Sequence, residues 1–173
     1  MAARPDPARR PTAGRILLLG AMTAFGAMSI DLYLPGLPVI ARDLGASAER
    51  VGLTVATYVA GQAVGQLFWG PLSDRRGRRG PLFAGIALYV GASVACALAG
   101  SMLPLLLARF VQGLGGCAAM VIARAIVRDE HDEAGTARTL SWLTLVMGMA
   151  PILAPSLGAL VLDAAGWRAM FWL

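Results

Sequence analysis

The fold is decided by one apolar run near the amino terminus, Ile16-Leu-Leu-Leu-Gly-Ala-Met-Thr-Ala-Phe-Gly-Ala-Met-Ser-Ile-Asp31-Leu-Tyr-Leu-Pro35-Gly-Leu-Pro38-Val-Ile40. It is 25 residues long, and Asp31 is its single ionisable residue. A helix of about 20 apolar residues is long enough to cross the hydrocarbon core of a bilayer. A carboxylate at that depth costs roughly a few kcal/mol and usually marks a proton or substrate pathway. The run therefore predicts a membrane helix that carries a functional acid, and transport is the leading function.

The composition of the whole chain also indicates a membrane protein. Of its 173 residues, 57% are hydrophobic and 14% are charged, and the mean hydropathy is +0.66. Soluble domains carry about 25% charged residues. The net charge is +5, and all 15 basic residues are arginines, most of them in short segments between apolar blocks. Membrane topology explains this distribution better than binding to nucleic acid does, so no nucleic-acid partner is expected.

Five apolar spans follow a polar leader at 1–14. They lie at about 15–40, 51–72, 81–100, 102–124 and 139–162, and a sixth, incomplete span occupies 167–173. The predicted fold class is an all-α integral membrane protein with five complete transmembrane helices and the start of a sixth. A secretory signal peptide is a weaker interpretation of the leader, because the apolar stretch continues past a poor cleavage site at Ala27-Met28-Ser29.

Arginines are distributed unequally between alternate loops. One set of loops contains only Arg42, Arg50 and Arg168. The other set, with the leader, contains eleven: Arg4, Arg9, Arg10, Arg15, Arg75, Arg76, Arg78, Arg79, Arg124, Arg128 and Arg138. The positive-inside rule therefore predicts that the amino terminus and the arginine-rich loops face the cytoplasm.

A second buried charge, Arg109, lies in the fourth span. The helical rise of about 1.5 Å per residue places Asp31 roughly 13 Å and Arg109 roughly 10 Å from the predicted external ends of their spans. Opposite charges at one depth offset part of their desolvation cost. We expect both to face a common polar cavity, directly or through water, with Gln112 and Tyr33 beside them. A static ion pair, or Arg109 bonded to carbonyls of a neighbouring helix, is the alternative.

The most specific stretch of the chain joins the second and third spans: Gly70-Pro-Leu-Ser-Asp74-Arg75-Arg76-Gly77-Arg78-Arg79. Its glycines permit a tight turn, Asp74 can accept backbone amides at a helix start, and the arginines suit an anionic lipid surface. This stretch resembles the signature loop of the major facilitator superfamily.

Three other stretches resemble drug/proton antiporters of that superfamily. The first span carries Asp31, Pro35 and Pro38; the fourth carries Leu105, Arg109, Gln112, Gly113, Gly115 and Gly116, similar to Leu-x3-Arg-x2-Gln-Gly-x-Gly; and the fifth carries Gly148, Pro151, Pro155 and Gly158, similar to the Gly/Pro-rich antiporter motif. The amino-acid sequence of these stretches is most similar to the bicyclomycin-resistance (Bcr/CflA) multidrug exporters. Ala154-Pro155 and Gly158-Ala159 nevertheless depart from the general antiporter pattern.

The resemblance implies a carrier of the bacterial inner membrane with about twelve helices in two halves, of which this chain holds most of the amino-terminal half. It implies that Asp31 exchanges a proton for a small-molecule drug and that Arg109 tunes the acidity of Asp31. The glycines and prolines of the fifth span are then a hinge or irregular packing, with neither preferred. The partners are the drug, protons, the lipid bilayer and the missing carboxy-terminal half, and this chain alone is not expected to transport, because alternating access needs both halves.

Other functions remain open from the sequence. A sugar or metabolite exporter could use the same scaffold, and the chain could be a truncated membrane fragment or a regulatory partner without transport activity. A four-helix dimerising exporter fits the five spans poorly. An enzyme is least expected, because no Ser/His/Asp set, HExxH motif or phosphate loop is present. Cys96 and Cys117 have no CxxC spacing, so neither a metal nor a cofactor is expected.

Overall fold

The computed structural model describes residues 13–130 and 133–173, so most of the leader 1–14 and His131 lie outside the described residues. Six α-helices make up this part of the chain: α1 Ala13–Asp31, α2 Leu37–Asp43, α3 Ala48–Arg76, α4 Arg79–Ala97, α5 Met102–Glu130 and α6 Glu133–Ala165. Two short 3-10 helices are also present, Leu34–Gly36 and Trp167–Phe171.

Five segments of the described chain are long and apolar enough to cross a membrane: Gly14–Asp43, Ala48–Arg76, Arg79–Ala97, Met102–Glu130 and Gly135–Ala165. This result confirms the predicted all-α membrane fold with five complete spans. Several helices extend beyond their apolar cores; α5, for example, ends at Glu130 rather than near residue 124. Hydropathy detects only the part of a helix that suits lipid, whereas its polar ends continue into the interface.

The first span is interrupted immediately after Asp31. Helix α1 ends at this residue, and the chain passes through the 3-10 helix Leu34–Gly36 before α2 begins at Leu37. Pro35 lies in the first turn of the 3-10 helix and Pro38 in the first turn of α2, where the missing N–H of proline costs little. Asp31 therefore lies at the carboxyl end of a helix, where the helix dipole disfavours a negative charge.

Helix α5 packs against α3 with almost no space between the two backbones. A Cβ atom at Gly61 would overlap the carbonyl oxygen of Phe110, and one at Gly113 would overlap the carbonyl oxygen of Tyr58. Gly65 is enclosed in the same way, by Cys117 and Leu114. Small residues allow membrane helices to approach closely and gain van der Waals contact. The Gly61 and Gly65 pair is therefore a packing motif, as its spacing predicts.

Helix α6 packs along α1 and contains two internal prolines. It is continuous from Glu133 to Ala165 despite Pro151 and Pro155. A Cβ atom at Gly158 would overlap the carbonyl oxygen of Leu32, next to the break after Asp31. Gly148, by contrast, has open space where a Cβ would lie. Gly158 thus allows α6 to contact the interrupted first span, and the hinge role of this motif stays a prediction.

Side-chain bonds tie the first span to other segments at both ends of the bundle. At one end, Asp43 Oδ2 accepts hydrogen bonds from Trp167 Nε1 at 2.9 Å and from Arg168 Nη1 at 2.6 Å. At the arginine-rich end, Arg15 forms an ion pair with Glu130. The span containing α1 and α2 is therefore tied to α5 at one end and to the chain after α6 at the other.

We expect Gly61→Ala to lower the melting temperature of the protein in detergent. The added methyl group meets backbone rather than a movable side chain, and overpacking of this kind costs about 1–3 kcal/mol. Gly52→Ala is the matched control, because it lies on the same helix with open space around its Cβ position. Equal melting temperatures for the two variants would contradict the close contact between α3 and α5.

Candidate functional site

A cavity of about 400 Å³ opens between α1, α4, α5, α6 and the Trp167–Phe171 helix. Its polar lining residues are Ser29, Tyr33, Tyr89, Arg109 and Gln112. The remaining lining is apolar and includes Phe25, Met28, Leu157 and Phe171. Small-molecule sites are typically cavities of about 300–1,000 Å³ with apolar walls and a few convergent polar groups. This cavity has both the size and the lining of such a site.

Arg109 is the charged group of the cavity wall, and its side chain is fully buried. Its guanidinium carbon lies 4.3 Å from the ring centroid of Tyr33 and 4.4 Å from that of Tyr58. The ring of Phe171 is 5.8 Å away. A cation over aromatic faces is attracted by their quadrupoles, and this attraction is stronger when water is excluded. Aromatic rings from three separate segments therefore hold the cation in place.

The hydrogen bonding of Arg109 is incomplete. Its Nη1 donates to Gln112 Oε1 at 2.7 Å. Its Nε and Nη2 are buried but have no hydrogen-bond partner in the part of the chain that the structure describes. A buried donor without a partner costs about 1–3 kcal/mol, and more for a charged group. Such donors suit an acceptor on a ligand or on a side chain that moves.

Gln112 connects Arg109 to a second set of polar groups on α4. Its Nε2 donates to Ser93 Oγ at 2.7 Å, which fixes the direction of the amide. The hydroxyls of Ser29 and Tyr89, which also line the cavity, are 2.7 Å apart. These hydrogen-bonded side chains from α1, α4 and α5 form the polar wall of the cavity.

Asp31 does not belong to this wall. It is not among the cavity-lining residues, and it makes no hydrogen bond or ion pair within residues 13–130 and 133–173. Tyr33, two residues later, contacts Arg109 instead. Helical residues two positions apart face roughly opposite sides, so a shared depth does not place Asp31 against Arg109. The role of Asp31 in proton coupling stays a prediction.

The signature loop is organised by Arg78. Its Nη1 donates to Asp74 Oδ1 at 2.6 Å and to Ser73 Oγ at 2.8 Å. Its Nε and Nη2 donate to the two carboxylate oxygens of Asp129, at 2.8 and 3.0 Å. Partial burial acts to lower the pKa of Arg78, but the hydrogen bonds to Asp74 and Asp129 outweigh it and raise that pKa above its ordinary value. One cation therefore joins α3, α4 and α5.

The expectation that Asp74 accepts backbone amides at a helix start is wrong. Helix α3 continues to Arg76, so Asp74 lies in its last turn and bonds to the side chain of Arg78 instead. Gly70 is an interior residue of the same helix. Gly77 ends the helix with a φ of 78°, a conformation that glycine adopts without strain. The remaining motif arginines, Arg75, Arg76 and Arg79, are exposed.

Several residues of the site come from positions that the sequence did not single out for this role. Tyr89 and Phe171 had no signal, because aromatic residues are frequent in apolar spans. The structure also places the ring of Tyr58 against Arg109. Asp129 was not expected as a partner of Arg78. Among residues 13–130 and 133–173, no three His, Cys, Asp or Glu side chains lie close enough to hold a metal ion.

Comparison with known proteins places this arrangement in a family. Residues 17–173 match the family model described as the Major Facilitator Superfamily. The chain is 39% identical over 168 residues to the uncharacterized MFS-type transporter YdgK of Bacillus subtilis, an alignment covering 96% of this chain and 42% of the relative. It is 43% identical over 143 residues to the multidrug resistance protein MdtL of Escherichia coli, covering 83% of this chain and 37% of that protein.

The chain thus spans about two fifths of the length of the curated relatives it matches. The family model, in contrast, matches nearly the whole chain. Five long apolar helices agree with a multi-pass membrane protein. The chain belongs to the major facilitator superfamily of membrane transporters.

Proposed function

We propose that this chain is the amino-terminal part of a proton-coupled exporter of small-molecule drugs, of the Bcr/CflA type, in a bacterial inner membrane. The observation that carries the proposal is the buried Arg109, which has two nitrogens without a partner in the described residues, beside a cavity of about 400 Å³. Similarity to MdtL, a multidrug resistance protein, supports drug export over other cargo.

Proton coupling follows from the charges of the first and fourth spans. Asp31 has no partner in the described chain, and it lies two residues from Tyr33, which contacts Arg109. In an arrangement that brings the two groups together, an ionised Asp31 would be attracted to Arg109 at low dielectric, and a proton on Asp31 would remove that attraction. A change in attraction between two helices biases a protein that has two arrangements. Protonation of Asp31 could therefore select which arrangement of the cavity is populated.

The walls of the cavity suit amphipathic drugs. Phe25, Met28 and Phe171 offer aromatic and flexible apolar surface, and methionine adapts to ligands of different shape. Tyr89 and Gln112 supply polar groups on the opposite wall. In the proposed orientation the amino terminus and the Arg78 loop face the cytoplasm, so this cavity lies in the outer half of the membrane. A sugar or metabolite exporter is the second candidate, because the wall also carries hydroxyls that could bind a polar cargo.

Transport is proposed for the protein that contains both halves of the fold. Alternating access is largely a rocking of one half against the other around a central site. In this proposal, a second half of the fold completes the walls of the cavity. The partners of this chain are then the drug, protons, the bilayer and a carboxy-terminal half.

We expect Asp31→Asn in the full-length carrier to abolish drug efflux driven by a proton gradient. Asparagine is nearly the same size but cannot ionise, so binding of the drug should persist while the gradient no longer drives its movement. Drug flux and proton flux in reconstituted vesicles measure the two effects separately. Asp163→Asn is the matched control, since Asp163 is an exposed acid near the end of α6.

Wild-type proton coupling in the Asp31→Asn carrier would refute the role of this acid. A carrier that moves sugars or metabolites but none of a panel of amphipathic drugs would support the second candidate instead. These two failures are distinguishable, because the first concerns the driving force and the second concerns the cargo.

We expect Gln112→Leu to destabilise the protein, because Arg109 would lose its hydrogen-bond acceptor in a buried site. The cost should be about 1–3 kcal/mol, and thermal unfolding in detergent measures it. In the double variant Arg109→Met, Gln112→Leu, stability should largely return, since replacing both partners by apolar groups can be neutral. Gln66→Leu controls for the loss of an exposed amide on α3. If the double variant is no more stable than Gln112→Leu, the bond to Arg109 is not the cause.

A further inference from the structure

A second, smaller cavity of about 220 Å³ lies nearer the arginine-rich end of the same helices. It is lined by Thr23 of α1, Arg124 of α5, and Leu140, Leu143, Thr144 and Met147 of α6. Its volume is below that of a typical drug site, so it fits a group about the size of one ring. Helices α1, α5 and α6 also line the larger cavity.

Arg124 is the charged group of this second cavity, and its side chain is exposed. Its guanidinium makes no hydrogen bond or ion pair within residues 13–130 and 133–173. Two other arginines at this end are paired: Arg15 with Glu130, and Arg78 with Asp74 and Asp129. Arg124 is six residues from the end of α5, roughly 9 Å along the helix axis. It therefore lies on the helix rather than in the loop, at the edge of the cavity.

The two threonines of the cavity offer hydrogen-bond acceptors. Thr23 Oγ1 donates its hydrogen to the carbonyl oxygen of Gly20 at 2.8 Å, and Thr144 Oγ1 donates to that of Leu140 at 2.9 Å. A hydroxyl has only one hydrogen, so each oxygen presents lone pairs to the cavity. The cavity thus combines one cation without a partner in the described residues, two acceptors and an apolar surface formed by Leu140, Leu143 and Met147.

We propose that this cavity is a subsite for small molecules that carry both a carboxylate and a hydrogen-bond donor. The carboxylate would bind the guanidinium of Arg124, which matches its planar geometry. The donor would bind the oxygen of Thr23 or Thr144, and a ring between them would contact Met147. The proposal rests on the proposed function, because it assumes that the α1, α5 and α6 surface lines the substrate path. In the proposed orientation it is the first site that an organic acid meets from the cytoplasm.

A lipid headgroup shares the oxyanion chemistry of a carboxylate. The two ligands differ in how they reach the cavity, because a soluble acid arrives from water and a headgroup from the bilayer. Arg128 provides a matched control for charge alone, since it is an exposed arginine one turn further along α5 that does not line the cavity. An effect common to Arg124 and Arg128 would reflect the surface potential rather than a site.

The test is equilibrium binding of 4-hydroxybenzoate to the full-length carrier in phosphatidylcholine nanodiscs. Its uncharged analogue 4-hydroxybenzamide is the comparison ligand. Arg124→Gln should raise the Kd for 4-hydroxybenzoate by roughly tenfold or more, as expected for loss of a charged hydrogen bond. Arg128→Gln should leave that Kd unchanged, and Arg124→Lys should bind less tightly than wild type but more tightly than Arg124→Gln, because it keeps the charge without the planar pair of donors. The amide should bind weakly to every variant.

Three results would overturn the proposal. The first is the same Kd for wild type and Arg124→Gln, and the second is an equal loss in Arg128→Gln. The third is retention of phosphatidylglycerol that depends on Arg124 together with no binding of 4-hydroxybenzoate, which would assign the cavity to a lipid headgroup. Gel filtration and the retained binding of Arg124→Lys establish that the protein is folded. Because binding is measured without transport, its outcome is separate from that of the Asp31→Asn efflux assay.

Discussion

The close contact between α3 and α5 is the constraint on which the rest of the structure depends. Gly61 lies against the backbone of Phe110, which follows Arg109 in the sequence. Gly113 lies against the backbone of Tyr58, whose ring contacts Arg109. This approach places the Tyr58 ring 4.4 Å from the guanidinium. A larger residue at either glycine would move the aromatic ring away from the cation. The packing of small residues therefore determines the geometry of the charged site.

Arg109 and Asp31 differ in how the protein holds their charged groups. Arg109 is held by Gln112 and by aromatic rings, and arginine stays protonated at any physiological pH. Asp31 has no partner in the described chain and lies where one helix ends and another begins. The two side chains therefore differ in their support: several contacts hold the cation, whereas the carboxylate of Asp31 has none within the described residues.

Hydropathy predicted the five spans because the apolar residues within each segment are sufficient to place that helix in the bilayer. The depth of Arg109 was also predictable, since a helix rises uniformly. Its neighbours were not, because depth along an axis does not give the direction in which a side chain points. Tyr33 rather than Asp31 contacts Arg109 for this reason. Arg78 and Asp129 are 51 residues apart, and nothing in either local sequence indicates that they meet. The loop motif singled out both Asp74 and Arg78. It predicted Asp74 at the start of a helix, whereas α3 ends two residues after Asp74, at Arg76.

The bonds at the two ends of the bundle have a mechanical consequence. Asp43 receives Trp167 and Arg168 at one end, while Arg15 with Glu130 and Arg78 with Asp129 close the other. These links join segments that are distant in sequence, so a relative tilt of α1, α2, α4 or α5 would break a charged contact. Helix α6 takes part in none of these links. It is held instead by packing along α1, where Gly158 lies against the backbone of Leu32.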